Sequence, residues 1–119
     1  EAHATTDEQS PFAGGATDSG NEVMSVPETI AGWVARNGCP STPKRSSLPQ
    51  RVADGTSVTV DTFAGCREGT EVVLYTIVGA GHTWAGGMQY LPERRIGKTS
   101  QQFSASEVIW AFFARHPMP

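Results

Sequence analysis

Apolar residues recur along this chain in two rhythms. Val26, Ile30, Trp33 and Val34 share one face at helical spacing, and so do Val108, Ile109, Phe112 and Phe113. Each run opens on a serine followed three residues later by a glutamate, Ser25 with Glu28 and Ser104 with Glu107. In this capping-box pattern the hydroxyl takes an orphan backbone N–H and the carboxylate returns a bond to the cap. Pro27 falls in the first turn, where a missing donor costs little. Asn37-Gly38 and Arg115-His116-Pro117 end the two helices. Between them the period changes to two. Val58, Val60 and Thr62 alternate with Thr59, Asp61 and Phe63 after the Asp54-Gly55 turn, and residues 71–78 form a more continuous apolar run. The short loop from Ala64 to Gly69 predicts antiparallel pairing, because a parallel crossover needs about a dozen residues or more. The second strand is expected to be covered on both faces.

The remaining segments lack a period. Residues 1–24, with Pro11, Gly14, Gly15 and Gly20, read as a connecting loop; residues 40–56, with Pro40, Pro43 and Pro49, read as a connector. Residues 86–103 hold Pro92 beside Glu93-Arg94-Arg95 and read as a loop that shapes or shields a pocket. The expected fold class is therefore α/β, one unit over residues 1–119 with two main helices and a short antiparallel strand pair. So thin a sheet leaves open edges, which the rest of a larger chain or another copy would cover.

Charge and length narrow the partners. The 119 residues carry a formal net charge of −3 with both signs mixed, so no basic patch is available to neutralise a nucleic-acid backbone. No apolar run reaches the roughly 18 to 20 residues of a membrane span. The opening Glu1-Ala2-His3-Ala4-Thr5 has neither the basic start nor the apolar stretch of a signal peptide. Pairing Cys39 with Cys66 would close a loop of about 28 residues and stabilise the fold by roughly 3 to 4 kcal/mol through chain entropy. That pairing points to an oxidising compartment. Two free thiols in a reducing one are the alternative.

The chemistry concentrates at Gly79-Ala80-Gly81-His82-Thr83-Trp84-Ala85-Gly86-Gly87, directly after the apolar run. A histidine on such a turn can present its ring to a cleft, as a general base in acyl transfer must. No Gly-x-Ser-x-Gly elbow accompanies it, so the chain reads as part of a serine hydrolase. Trp84, Met88 and Tyr90 are candidate pocket residues beside His82. Trp33, Trp110, Phe112 and Phe113 are expected as core or helix-to-sheet contacts, and His116 as a partner of helix-end carbonyls. His3, His82 and His116 show no ligand spacing, and neither a metal nor another cofactor is expected.

In one order, His3-Ala4-Thr5-Thr6-Asp7, Ser25 to Cys39, Gly65-Cys66, Leu74 to Gly87 and Ser104 to Pro117 resemble the polyhydroxybutyrate depolymerase-like and feruloyl-esterase-like branch of the serine α/β-hydrolases. The similarity covers nearly the whole chain, as the carboxy-terminal portion of that fold. It implies that Asp7 is the triad acid, that His82 is the triad histidine, that Cys39 and Cys66 are bonded, and that the parent is secreted or periplasmic. Its substrate would be a polyhydroxyalkanoate or feruloyl-type ester. The nucleophilic serine, the oxyanion loop and most central strands of the family would precede residue 1, so this chain alone is expected to be inactive. Ala4 and Ala80 stand where the family has glycine, Ala85 where proline is common, and Glu8 follows Asp7 in place of proline. Non-catalytic self-association, or complementation by a missing amino-terminal portion, is the rival reading.

Overall fold

A computed structural model describes residues 1–118. Its centre is a four-stranded mixed sheet in the order β1 (Ala2–Ala4), β6 (Val72–Val78), β5 (Ser57–Phe63), β4 (Lys44–Ser47). β5 and β6 pair antiparallel from Ser57 opposite Val78 to Phe63 opposite Val72, as the short loop demanded. β1 joins the other side of β6 in parallel, with Ala2 opposite Tyr75 and Ala4 opposite Ile77. β4 pairs antiparallel with β5. A small hairpin of β2 (Gly15–Ala16) and β3 (Glu22–Val23) stands apart from the sheet.

The alternation of β6 explains the layering. Val72 and Leu74 point to helix α1 (Val26–Arg36) and meet Val26, Ile30 and Val34. On the other face Ile77, Val58 and Val60 meet Phe103 and Ala105, with Val73, Tyr75, Val108 and Ile109 packed alongside, beneath helix α3 (Ala105–Arg115). Tyr75 and Phe103 stack there with ring centroids 5.2 Å apart. Burial of β6 on both faces is the reason it reads as a continuous apolar run.

Both helix starts lie where their serines place them. Ser25 makes the full capping box with Glu28. At α3, Ser104 Oγ accepts from Glu107 N at 3.3 Å. Gly38, with φ +62°, ends α1 in the left-handed conformation that glycine adopts without strain. Cys39 and Cys66 are bonded, tying the end of α1 to the turn Arg67–Gly69 that precedes β6.

Several expectations are corrected. The segment 1–24 contains β1 and the small hairpin, the connector 40–56 contains β4, and the loop 86–103 contains the one-turn helix α2 (Glu93–Ile96). The strand pair is thus the middle of a four-stranded sheet. β1 is too short to show a period, and its partner lies far along the chain. β4, Lys-Arg-Ser-Ser, is exposed throughout and is a strand only by its backbone pairing. Its lysine and arginine suit an edge that must not recruit another strand. Trp33, Trp110 and Phe113 are 44, 75 and 60% exposed and are not core residues. Phe112 is half-buried against His116. His116 bonds the Glu71 carboxylate at 2.9 Å in place of helix-end carbonyls, and Arg115 bonds the same oxygen. These bonds hold Glu71 below its usual carboxylate range, that from His116 contributing most.

Candidate active site

β6 and β1 run side by side, so the segments leaving their ends emerge together. Thr5 N donates to Ile77 O at 3.0 Å, and Thr5 Oγ1 accepts from Gly79 N at 3.1 Å. Thr6 donates to Ala80 O through both its N–H, at 3.2 Å, and its hydroxyl, at 2.6 Å. These bonds carry Asp7 to the turn that follows β6. There His82 Nδ1 lies 2.9 Å from Asp7 Oδ2, across 75 positions of sequence. The other carboxylate oxygen, Oδ1, accepts from Gln9 N at 2.9 Å and Ser10 N at 2.8 Å, an Asx-type turn that holds the acid in one orientation.

The histidine loop is fixed from its other side by residues 96–100. His82 N donates to Ile96 O at 2.7 Å, Gly81 N to Lys98 O at 3.1 Å, Thr83 Oγ1 to Lys98 O at 2.9 Å, and Gly86 N to Ser100 O at 2.8 Å. The approach is close enough to require glycine. A Cβ on Gly81 would overlap Ile96 O and lie 2.5 Å from Gly97 Cα. This contact gives the glycines of the histidine segment a steric reason.

The Asp7 side chain is 12% exposed and that of His82 47%. With its proton on Nδ1 the ring donates to Asp7 Oδ2 and leaves the Nε2 lone pair as the basic site. The ring borders a cleft of about 390 Å³ lined also by Asp7, Ser10, His3, Trp84 and Tyr90. Trp84 is anchored by its indole N–H, which donates to Ser106 Oγ at 3.0 Å, and Tyr90 Oη donates to His82 O at 3.3 Å. Of the three candidate pocket residues, Trp84 and Tyr90 line this cleft. Met88 lies outside its lining, 81% exposed.

His3, which also lines this cleft, has its Nε2 3.0 Å from Glu1 Oε2, and no group of three His, Cys, Asp or Glu side chains is placed to hold a metal among the described residues. A cavity of about 740 Å³ lies on the α1 side of the sheet and has no histidine in its lining. Its polar feature is Arg45, whose guanidinium binds both oxygens of buried Asp61 at 2.7 and 2.8 Å and holds that carboxyl below its usual range.

Sequence reasoning missed Thr5 and Thr6, and it missed a buried polar cluster around Asp54. Thr56, Ser100 and Gln102 are 3, 0 and 2% exposed. Burial alone would push the Asp54 carboxyl up, but hydrogen bonds from Gln101, Thr56 and Gln102 outweigh it and hold the group far below the ordinary range. Asp54-Gly55-Thr56 carries the signal of an aspartate turn, and the sequence has no mark of its distant partners.

No family model matches this chain, and no solved structure does. Over 89 residues it is 30% identical to the protein described as "Putative esterase NocK" from Nocardia uniformis subsp. tsuyamanensis. The match takes in 75% of this chain and 26% of that protein, so the chain spans about a quarter of the length of the curated relative it matches. A chain with an Asp–His pair at the rim of a mixed sheet is thus similar in sequence to an esterase-like protein.

Proposed function

We propose that Asp7 and His82 are the acid and the general base of a serine-type carboxylic-ester hydrolase whose attacking hydroxyl lies outside these 119 residues. The observation that carries this reading is the 2.9 Å bond between Asp7 Oδ2 and His82 Nδ1, made by two residues on separate strand ends and open to a cleft. Similarity to NocK supports it independently. In the reaction, His82 Nε2 takes the proton of a serine hydroxyl as that oxygen attacks the ester carbonyl. Asp7 holds the ring in the Nδ1–H tautomer and stabilises the imidazolium. His82 then gives the proton to the leaving alkoxide, and the second half repeats the exchange with water.

The α/β-hydrolase assignment supplies the finer parts of the proposal. The chain contributes the carboxy-terminal strands, the acid and the histidine, while a preceding segment supplies the serine elbow and oxyanion donors. Esters of polyhydroxyalkanoate or feruloyl type are the substrate class, and Trp84 and Tyr90 offer apolar walls beside His82. The disulfide accords with a secreted or periplasmic parent.

The test compares the 119-residue chain with the longest gene product that contains it, using short p-nitrophenyl esters and a fluorophosphonate label. Turnover and a labelled serine outside residues 1–119 are expected only in the longer protein, with a loss of about 10³-fold or more in His82→Ala. Undiminished turnover in His82→Ala refutes the reading. The rival, a non-catalytic association module, draws on the exposed Trp110 and Phe113 and predicts a mass that rises with concentration.

A further inference from the structure

The buried polar cluster at Asp54 stands apart from the cleft, yet it is joined to the histidine loop by a continuous set of hydrogen bonds. Asp54 Oδ1 accepts from Thr56 N at 2.9 Å, Thr56 Oγ1 at 2.7 Å and Gln102 Nε2 at 2.8 Å. Its Oδ2 accepts from Gln101 N at 2.8 Å, and its backbone carbonyl from Lys98 Nζ at 3.1 Å. Gln102 binds back across the same gap: Oε1 accepts from Arg51 N at 2.8 Å, and Nε2 donates to Val52 O at 2.7 Å. Ser100 Oγ lies 2.8 Å from Thr56 Oγ1. Residues 51–56 and 98–102 are thereby locked together at every polar side chain named.

The locked segment presents the carbonyls of Ile96, Lys98 and Ser100 to the histidine loop. These are alternate residues, so a slip of one position would turn all three carbonyls away from Gly81, His82, Thr83 and Gly86. Directed bonds to the half-buried Asp54 carboxylate specify one register, because any other leaves the buried side chains of Thr56, Ser100 and Gln102 without these partners.

We propose that Asp54 and Gln102 are positioning residues for His82, acting through the register of residues 96–100. The consequence for turnover rests on the general-base reading above; the placement itself is tested without turnover. The measurement is hydrogen exchange and the ¹⁵N shifts of the His82 ring by NMR on the 119-residue chain. It is made at one fixed pH, because His3, Glu8, Glu93, Arg94 and Arg95 also line the cavities that touch this ring.

Asp54→Asn and Gln102→Leu are expected to speed exchange of the Nδ1 proton by about tenfold, the scale of one lost net hydrogen bond, and to weaken the preference for the Nδ1–H tautomer. Asp61→Asn is the control. It weakens the ion pair between buried Asp61 and the mostly exposed Arg45 on the α1 face and is expected to lower stability without moving the His82 signals. Ser100→Ala removes one hydroxyl from the cluster and is expected to act in the same direction as Asp54→Asn, more weakly. It decides the question if the larger changes prevent folding. Unchanged His82 signals in Asp54→Asn and Ser100→Ala, or an equal change in Asp61→Asn, overturns the proposal. If the longer protein shows no ester turnover while Asp54→Asn still frees the Nδ1 proton, the enzymatic reading falls and the positioning role stands.

Discussion

Substituting Gly81 with alanine tests whether the histidine loop is held by backbone contact. Gly81 is not among the glycines with positive φ, so alanine there would gain about 0.4 to 1 kcal/mol by restricting the unfolded chain if space allowed. Space does not allow it: the new Cβ would overlap Ile96 O and come within 2.8 Å of the Ile96 carbonyl carbon. Relief requires residues 96 and 97 to withdraw, which strains or breaks the bonds His82 N to Ile96 O and Gly81 N to Lys98 O. Overpacking of about 1 to 3 kcal/mol and two weakened bonds of about 0.5 to 1.5 kcal/mol each exceed the entropic gain. The expected net loss is about 2 to 4 kcal/mol, or roughly 8 to 16 °C in the thermal midpoint of a chain this size. Gly97→Ala meets the same contact from the other side and adds the strain of φ +78°, a region alanine avoids. It should therefore cost more, and the double variant should cost less than the sum, because both substitutions open one gap. Thermal unfolding of the three variants, with the His82 Nδ1 proton as local probe, provides the readings. Midpoints within 2 °C of the parent for both single variants would refute the argument.

The remaining predictions concern other parts of the fold. Replacing Cys39 and Cys66 by serine together should lower unfolding free energy by about 3 to 4 kcal/mol, the chain entropy released by opening that loop, with the Asp7–His82 bond still present by NMR; urea unfolding measures the loss. Arg45 holds the Asp61 carboxyl below its unfolded value, so this pair contributes stability in full above about pH 4 and loses it as pH falls toward the lower folded value. Arg45→Met should flatten the acid limb of urea midpoints between about pH 2 and 5, whereas an unchanged limb contradicts the assignment. Trp110→Gln with Phe113→Gln should leave the thermal midpoint within about 2 to 3 °C, because both side chains are mostly exposed; a large fall measured by calorimetry would mean they pack in the core.

What the sequence disclosed depended on range. Helix α1, its cap and its glycine stop are encoded within a dozen positions, and the antiparallel β5–β6 pair follows from one short loop. His82 was recognisable because its glycines sit beside it. Asp7 was reachable only through resemblance, since an aspartate in a turn-rich segment has no local mark and its partner is 75 positions away. β1 escaped for the same reason, as three residues cannot display a period and their pairing is with a strand more than 70 positions away. The aromatics of α3 misled in the opposite direction. Their spacing is helical, but the sheet beneath offers room for Val108, Ile109 and part of Phe112, while Trp110 and Phe113 extend past it. The Asp54 cluster is polar throughout, and polarity read along the chain signals loop. Only the fold reveals that these groups satisfy one another out of water.

The long separation between Asp7 and His82 also orders events in time. Closing a segment of that length costs about 4 kcal/mol of chain entropy, and the Asp7–His82 bond depends on the pairing of β1 with β6 to bring its two residues together. The loop is then held by Ile96, Lys98 and Ser100, residues that follow the histidine. A nascent chain emerging from the ribosome therefore exposes Asp7 75 positions before its imidazole partner. The two meet with their present support only when residues 1–100 are all available. No species that has yet to form β6 and the segment after it can hold the Asp7–His82 bond, so this contact is withheld until β1 and β6 are paired.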